Sequence, residues 1–391
     1  MSTTSRREEL DALRGLLLVV MTLDHLPTGL HLYANQPLGW VSAAEGFVFL
    51  SAFLVGTIYS RQLLEKGFAH VRERLWKRAG KLYFVHLALL LFAFTVVAGI
   101  AVVTGRQTLH NHLSFFFESP VRAAVSSPLL LYQPPLLDIL PMYVAFLALS
   151  PLLLRRAARR GWTPILTASA LLWAVSQLGV RTWLFAKLAA STGIPLSALG
   201  SFDWLGWQLV WVAGLWIGAG SLRRGDASGQ AWLRESFGAG SRTLLLVGAV
   251  AIAMLFFASR HELATLGLQL AAGSPWLSKW HLGALRVLNF AALAVVVRHA
   301  VLPVLAVVRL PGLSLLGRSS LAVFTTHLPF AILSRGLIVG EAPLTLAQQA
   351  CVLALTFGAM LGVAWYAERG QRGREPGSRR GSSAANAASA A

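Results

Sequence analysis

The sequence predicts an all-α fold: a polytopic integral membrane bundle of about ten transmembrane helices. Three observations carry this expectation. Hydrophobic residues make up 55% of the 391 and charged residues only 13%, about half the ~25% charged share of soluble domains. Mean hydropathy is +0.62. The apolar residues also gather into ten runs, at 10–26, 41–60, 82–104, 136–154, 162–180, 204–221, 243–258, 282–297, 313–333 and 344–366. Most reach the ~17–25 residues that cross a bilayer core. This composition excludes a soluble globular enzyme and a disordered chain, and the lone Cys351 excludes an internal disulfide framework.

The net charge of +18 would suit nucleic acid, but its placement does not. With the N-terminus in the cytoplasm, the inside segments hold 24 Lys and Arg and the outside segments seven. That bias predicts both termini inside and accounts for most of the charge without a nucleic-acid partner. The expected organisation is one transmembrane domain over 1–366 and a disordered cytoplasmic tail over 367–391, rich in Arg, Gly, Ser and Ala.

Ionisable groups inside a span cost about 2.5–3.5 kcal/mol each and need a reason. The first span carries Arg14, Asp24 and His25 and lacks the cleavage site of a signal peptide. Arg14 and His25 are eleven residues apart, which puts them on one helix face, roughly 16 Å apart along the axis. Asp11 sits three residues before Arg14 on that face. Either this stripe lines an interior path, or Arg14 snorkels to one interface while His25 sits in the other.

Glu45, near the start of the second span, is read either as a group facing the bundle interior or as an interfacial one. The stretch 61–81 is basic with interleaved apolar residues. Arg74, Lys77, Arg78 and Lys81 share a helical face there, leading into Tyr83 and His86. It is a phosphate-binding patch or an amphipathic helix on anionic lipid. Asp138 sits among prolines at the start of the fourth span, as a cavity mouth or a simple cap. Arg286 and Asn289 share a face in the eighth span, while Arg318, Ser320 and His327 mark the ninth, for packing or for a site. Soluble-type nucleophile, nucleotide and zinc motifs are absent from the sequence, so any site is assembled from spans.

These residues resemble a known group. Arg14 and His25, separated by ten residues, match the pattern of acyltransferase-3-type membrane acyltransferases. Ser51-Ala52-Phe53 resembles their Ser-Gly-Phe, and Arg74-Leu75-Trp76-Lys77 resembles their Arg-x-x-Arg. Glu9 to Gly15, Ala43 to Ser51, Lys81 to Tyr83 with His86, Leu137 to Tyr143, Trp207-Gln208, Arg286 to Phe290 and Leu316 to Ser320 look more closely like the OpgC branch. That branch is associated with succinylation of periplasmic glucans.

The resemblance implies a multi-pass protein of the inner membrane that moves an acyl group from cytoplasmic acyl-CoA to a glucan hydroxyl outside. The donor is succinyl-CoA or acetyl-CoA, with no permanently bound cofactor and no metal. His25 is then the expected general base, with Glu45 to orient its ring and Asp24 beside it in sequence. Arg14, Arg74, Lys77, Arg78, Lys81 and His86 are expected on the CoA side. Asp138, Arg286, Asn289, Arg318 and His327 are expected around the acceptor. A carboxylate on the acyl group would take Arg286, Arg318 or Lys279 as its partner. The rival reading is a secondary transporter with Asp24, His25 and Glu45 as a proton relay.

Overall fold

The computed structural model describes residues 7–220, 239–261, 273–337 and 344–372. All ten apolar runs fall on helices, and the described residues contain no strand. A chain in lipid must satisfy its backbone groups within each segment, which an α-helix does. The longer helices are α1 (Glu8–His25), α2 (Ala43–Phe92), α3 (Ile139–Arg160), α4 (Thr163–Ser176), α5 (Val180–Thr192), α6 (Trp204–Gly220), α7 (Ala239–Arg260), α8 (Ala284–Val296), α9 (Pro311–Arg318), α10 (Ser320–Leu337) and α11 (Leu346–Arg372).

Among the described residues, five helical stretches are long and apolar enough to cross a membrane. They become six if α4 and α5, bent by 69°, form one broken span. The outer surface agrees with lipid: Val103, Leu178, Val307 and Leu346 are each at least 80% exposed. In water, apolar surface costs about 25 cal/mol per Å², so such a wall suits hydrocarbon instead.

The second and third apolar runs share α2, which is broken at Gly67 (φ 78°, ψ 173°). That φ is open to glycine and strained for other residues. Contacts along α3 show the chain reversing there. Tyr143 donates to the Phe47 carbonyl (3.1 Å) near one end of α3. Arg155 stacks on Phe68 (4.4 Å) toward the other end, and Trp76 returns to the Ala148 carbonyl (3.1 Å). The basic stretch 61–81 is therefore helical on both sides of a single-residue turn. A π-helical turn at Ala93–Val97 continues this arm to Thr104.

Two close helix crossings fix the frame. A Cβ on Gly214 or Gly218 of α6 would strike the Phe49 or Phe53 carbonyl of α2, and one on Gly15 of α1 would strike the Leu313 carbonyl of α9. Small residues here bring backbones together, as packing in lipid favours. Trp207 and Trp211 of α6 fill the core beside them, with Trp211 donating to Ser150 (3.0 Å). The final helix reaches Arg372, so residues 367–372 belong to it rather than to the expected tail. Residues 373–391 lie outside the described residues.

Candidate active site

Helix α1 carries one polar group toward each end. Arg14 Nη1 lies 3.5 Å from Ser320 Oγ at the start of α10. His25 is the last residue of α1, and its Nδ1 is 3.1 Å from Nε2 of His327, which is fully buried in α10. The rings lie nearly parallel, 5.3 Å between centroids. A hydrogen bond between two imidazoles needs one donor and one acceptor, so at least one ring of the pair is neutral. With Nδ1 of His25 engaged, its Nε2 remains for a substrate proton.

An aromatic wall joins the two ends of the stripe. Phe324 meets His327 edge-on (5.1 Å), Phe47 stacks on Phe324 (6.1 Å), and Tyr143 tilts against Phe47 (6.2 Å). Tyr143 is hydrogen-bonded with Ser51 and feels the charges of Arg14 and Arg78. The wall thus ends at Ser51 and Tyr143, within electrostatic range of Arg14 and of the exposed Arg78.

Beyond His25 lies a cavity of about 450 Å³, lined among others by Asp24, Asn35, Gln36, Trp40, Lys279 and Trp280. Its Lys279 segment is an irregular loop held at five points. Trp207 Nε1 donates to the Lys279 carbonyl (3.0 Å), the Asp203 amide to that of Trp280 (2.9 Å) and Gln177 Nε2 to that of His281 (2.9 Å). Trp173 Nε1 donates to the Leu282 carbonyl (2.8 Å), and His281 Nδ1 pairs with buried Asp203 (3.1 Å). Each bond satisfies a loop carbonyl or side chain that lipid could not. The loop is thereby rigid before any ligand arrives.

Several expected residues have other partners. Glu45 does not orient His25. Its carboxylate is fully buried, pairs with Arg286 and accepts from the Ser42 amide (3.1 Å) and hydroxyl (2.5 Å). This is an N-terminal capping arrangement joined to a buried ion pair, and His327 takes the ring-orienting position instead. Asp24, expected beside His25 at the reaction centre, pairs instead with His31 (3.4 Å).

Arg318 is far from the cavity end. It pairs with Glu368 of α11 (3.1 Å) while neighbouring Ser319 reaches the Ala364 carbonyl (3.3 Å), at the Arg14 end of the bundle. His86 is fully buried in the apolar core with neither ring nitrogen hydrogen-bonded, apart from the basic face. Arg74, Lys77, Arg78 and Lys81 are exposed on the second arm of α2, with Lys77 paired to Glu73 (2.5 Å). Asp138 accepts from the Ser201 amide (3.1 Å). Asn289 Oδ1 accepts from the Trp40 amide (2.9 Å).

The residues that sequence reasoning missed are His31, Asn35, Gln36, Trp40, Trp280 and Arg335. The first four lie between the first two apolar runs, where hydropathy carries no pattern. Arg335 donates to the carbonyls of His25 (2.7 Å) and Asp24 (3.2 Å), satisfying the end of α1. No cluster of three His, Cys, Asp or Glu with metal-holding geometry occurs among the described residues.

The family model described as OpgC protein matches residues 6–372. No curated protein and no solved structure matches the chain.

Proposed function

The chain belongs to the OpgC protein family, and from that premise we propose that it is a membrane-embedded O-acyltransferase. The donor is a cytoplasmic acyl-CoA, best a succinyl-CoA, and the acceptor is a hydroxyl of an envelope glucan outside the inner membrane. The chain crosses about ten times with both termini inside, as the 24-to-7 charge bias favours. Its transmembrane domain covers most of the sequence, followed by a short cytoplasmic tail.

The observation that carries this reading is the His25–His327 pair at one end of the aromatic wall, beside the cavity, with Arg14 at the other end. CoA phosphates would meet Arg74, Lys77, Arg78 and Lys81, whose exposed cations suit phosphate oxygens. The pantetheine arm would follow the wall from Arg14 and Tyr143 toward His25. The thioester carbon would then sit by His25 Nε2.

A glucan hydroxyl entering by the cavity loses its proton to His25 Nε2 as its oxygen attacks the thioester carbon. His25 can pass its Nδ1 proton to His327, which keeps the developing charge off a single buried ring. The carbon–sulfur bond breaks, CoA leaves as a thiolate, and the proton held by the pair returns to it. Trp280 offers a flat apolar face to a sugar ring, and Asn35 and Gln36 offer amides to its hydroxyls.

The test uses purified protein in proteoliposomes, with succinyl-CoA on the side of Arg74 and a linear or cyclic glucan on the other. Free CoA thiol and an added acyl mass on the glucan are expected together. Neither product appearing, under conditions where the protein is folded, would overturn the reading.

A further inference from the structure

The floor of the cavity is built of hydrogen-bond donors that have no partner. Arg286 is 1% exposed and lines the cavity. Its Nε serves Glu45 and its Nη1 serves the Leu277 carbonyl (3.4 Å), while Nη2 is buried and unpaired. Trp40 is 8% exposed, and its Nε1 is likewise buried and unpaired. Behind it, Asn289 turns its oxygen to the Trp40 amide, which leaves its own Nδ2 unpaired. A buried donor left without a partner is costly. Three in one place call for a ligand that is rich in acceptors.

Charge narrows the ligand further. Around this end of the bundle most other basic groups have partners, while Arg260 lies over the Trp40 ring (5.4 Å) and does not line the cavity. Arg286 is paired with Glu45, His31 with Asp24, and His281 with Asp203. Arg335 caps the carbonyls that end α1. Lys279 has no carboxylate partner among the described residues; its ammonium lies 5.3 Å from the Trp280 ring centre and lines the cavity. It lies within electrostatic range of the His25 ring and of the buried Asp138 carboxylate. The one carboxylate on the lining, Asp24, is engaged by the His31 ring (3.4 Å). Of the three cations that the sequence offers for an acyl carboxylate, Arg318 is held elsewhere by Glu368, which leaves Lys279 with Arg286 Nη2.

We propose that Lys279, Arg286 Nη2 and Trp40 Nε1 form a carboxylate-binding site beside His25, and that it reads a negative charge on the group being transferred. The inference rests on the acyltransferase reading above for its role, though not for the site itself. In a succinyl group the free carboxylate lies about 4 Å from the reacting carbon, at ~1.5 Å per bond. It would enter the donor-lined floor while the thioester carbon stays at His25. An acidic sugar of the acceptor offers the same chemistry from the other side.

The experiment compares kcat/KM for succinyl-CoA and for butyryl-CoA, which has similar length and no charge, each on a neutral and on an acidic glucan. In Lys279→Met the succinyl-to-butyryl ratio should fall by about tenfold or more, the scale of one lost charge-assisted bond. Lys279→Arg should restore most of it. Trp40→Phe, which removes only the Nε1 donor from the floor, should lower the same ratio by a smaller factor. If the loss follows the charge of the glucan rather than that of the donor, the site stands and the carboxylate comes from the acceptor. An unchanged ratio on both glucans in Lys279→Met would overturn the site.

A readout without turnover separates this from the function. Succinate and its monoamide, which keep a free carboxylate, but not the uncharged diamide, should raise the melting temperature of the wild-type protein and fail to do so in Lys279→Met. Succinate protection without any acyl transfer would keep the carboxylate site and remove the acyltransferase reading. Acyl transfer with no succinate protection and no change of ratio would do the reverse.

Discussion

Replacing Glu45 by Ala should unfold the protein rather than silence it. Glu45 and Arg286 are both essentially inaccessible, and the pair joins the start of α2 to α8 across 241 residues of sequence. Removing one member of a buried ion pair costs about 3–5 kcal/mol, because the other charge is left without a counter-ion. Glu45→Ala also strips the acceptor from the Ser42 amide, a capping loss of about 1 kcal/mol. The sum, about 4–6 kcal/mol, is comparable with the ~5–15 kcal/mol by which a domain is usually stable. Yield and melting temperature in detergent should therefore drop sharply. Glu45→Met combined with Arg286→Met should recover much of the stability, since a well-packed apolar pair avoids desolvating two charges. The assay is thermal unfolding of the wild type, of Glu45→Ala and of the double Met variant. A Glu45→Ala protein with wild-type melting temperature and lost activity would refute the structural role and return Glu45 to the reaction.

Arg74→Ala with Lys77→Ala should weaken acyl-CoA binding at low salt, and the gap from wild type should narrow as salt screens the phosphates, measured by equilibrium binding in detergent. Gly15→Val should lower the yield of folded protein, because its Cβ meets the Leu313 carbonyl of α9, and size-exclusion chromatography would show it. His112 ends a short helix, Gln107–His112, outside the candidate spans, and burial together with the charge of Arg335 holds its pKa down at about 4. The unfolded chain takes up that proton near pH 6.5, so stability should be full above pH 6.5 and fall toward pH 4, by up to about 1.4 kcal/mol per pH unit. His112→Gln should flatten that part of the melting-temperature profile.

The helices were legible because lipid imposes length and hydropathy on every span, and all ten runs fall on helix. The Arg14–His25 stripe was legible because helical periodicity acts over eleven residues. What could not be read locally were pairings across the chain. Glu45 finds Arg286, and His25 finds His327 across 302 residues, whereas the sequence pointed to Glu45 on the next span as the partner of His25. The break at Gly67 was hidden because one residue with positive φ reverses a chain that stays helical on both sides. Lys279 appeared only as one of three equivalent cations; the ion pairs of the other two separate it from them. The cavity residues Asn35, Gln36 and Trp40 lie in a connector without periodicity, where composition gives no direction.

The most direct test of the proposed chemistry is the rate of acyl transfer to glucan in proteoliposomes by His25→Ala, alongside its acyl-CoA affinity. A positioned base contributes about 10²–10⁴-fold to rate. Transfer should fall by that factor while acyl-CoA binding and melting temperature stay close to those of the wild type. Near-normal transfer by His25→Ala would contradict the central claim that the His25–His327 pair takes the acceptor proton.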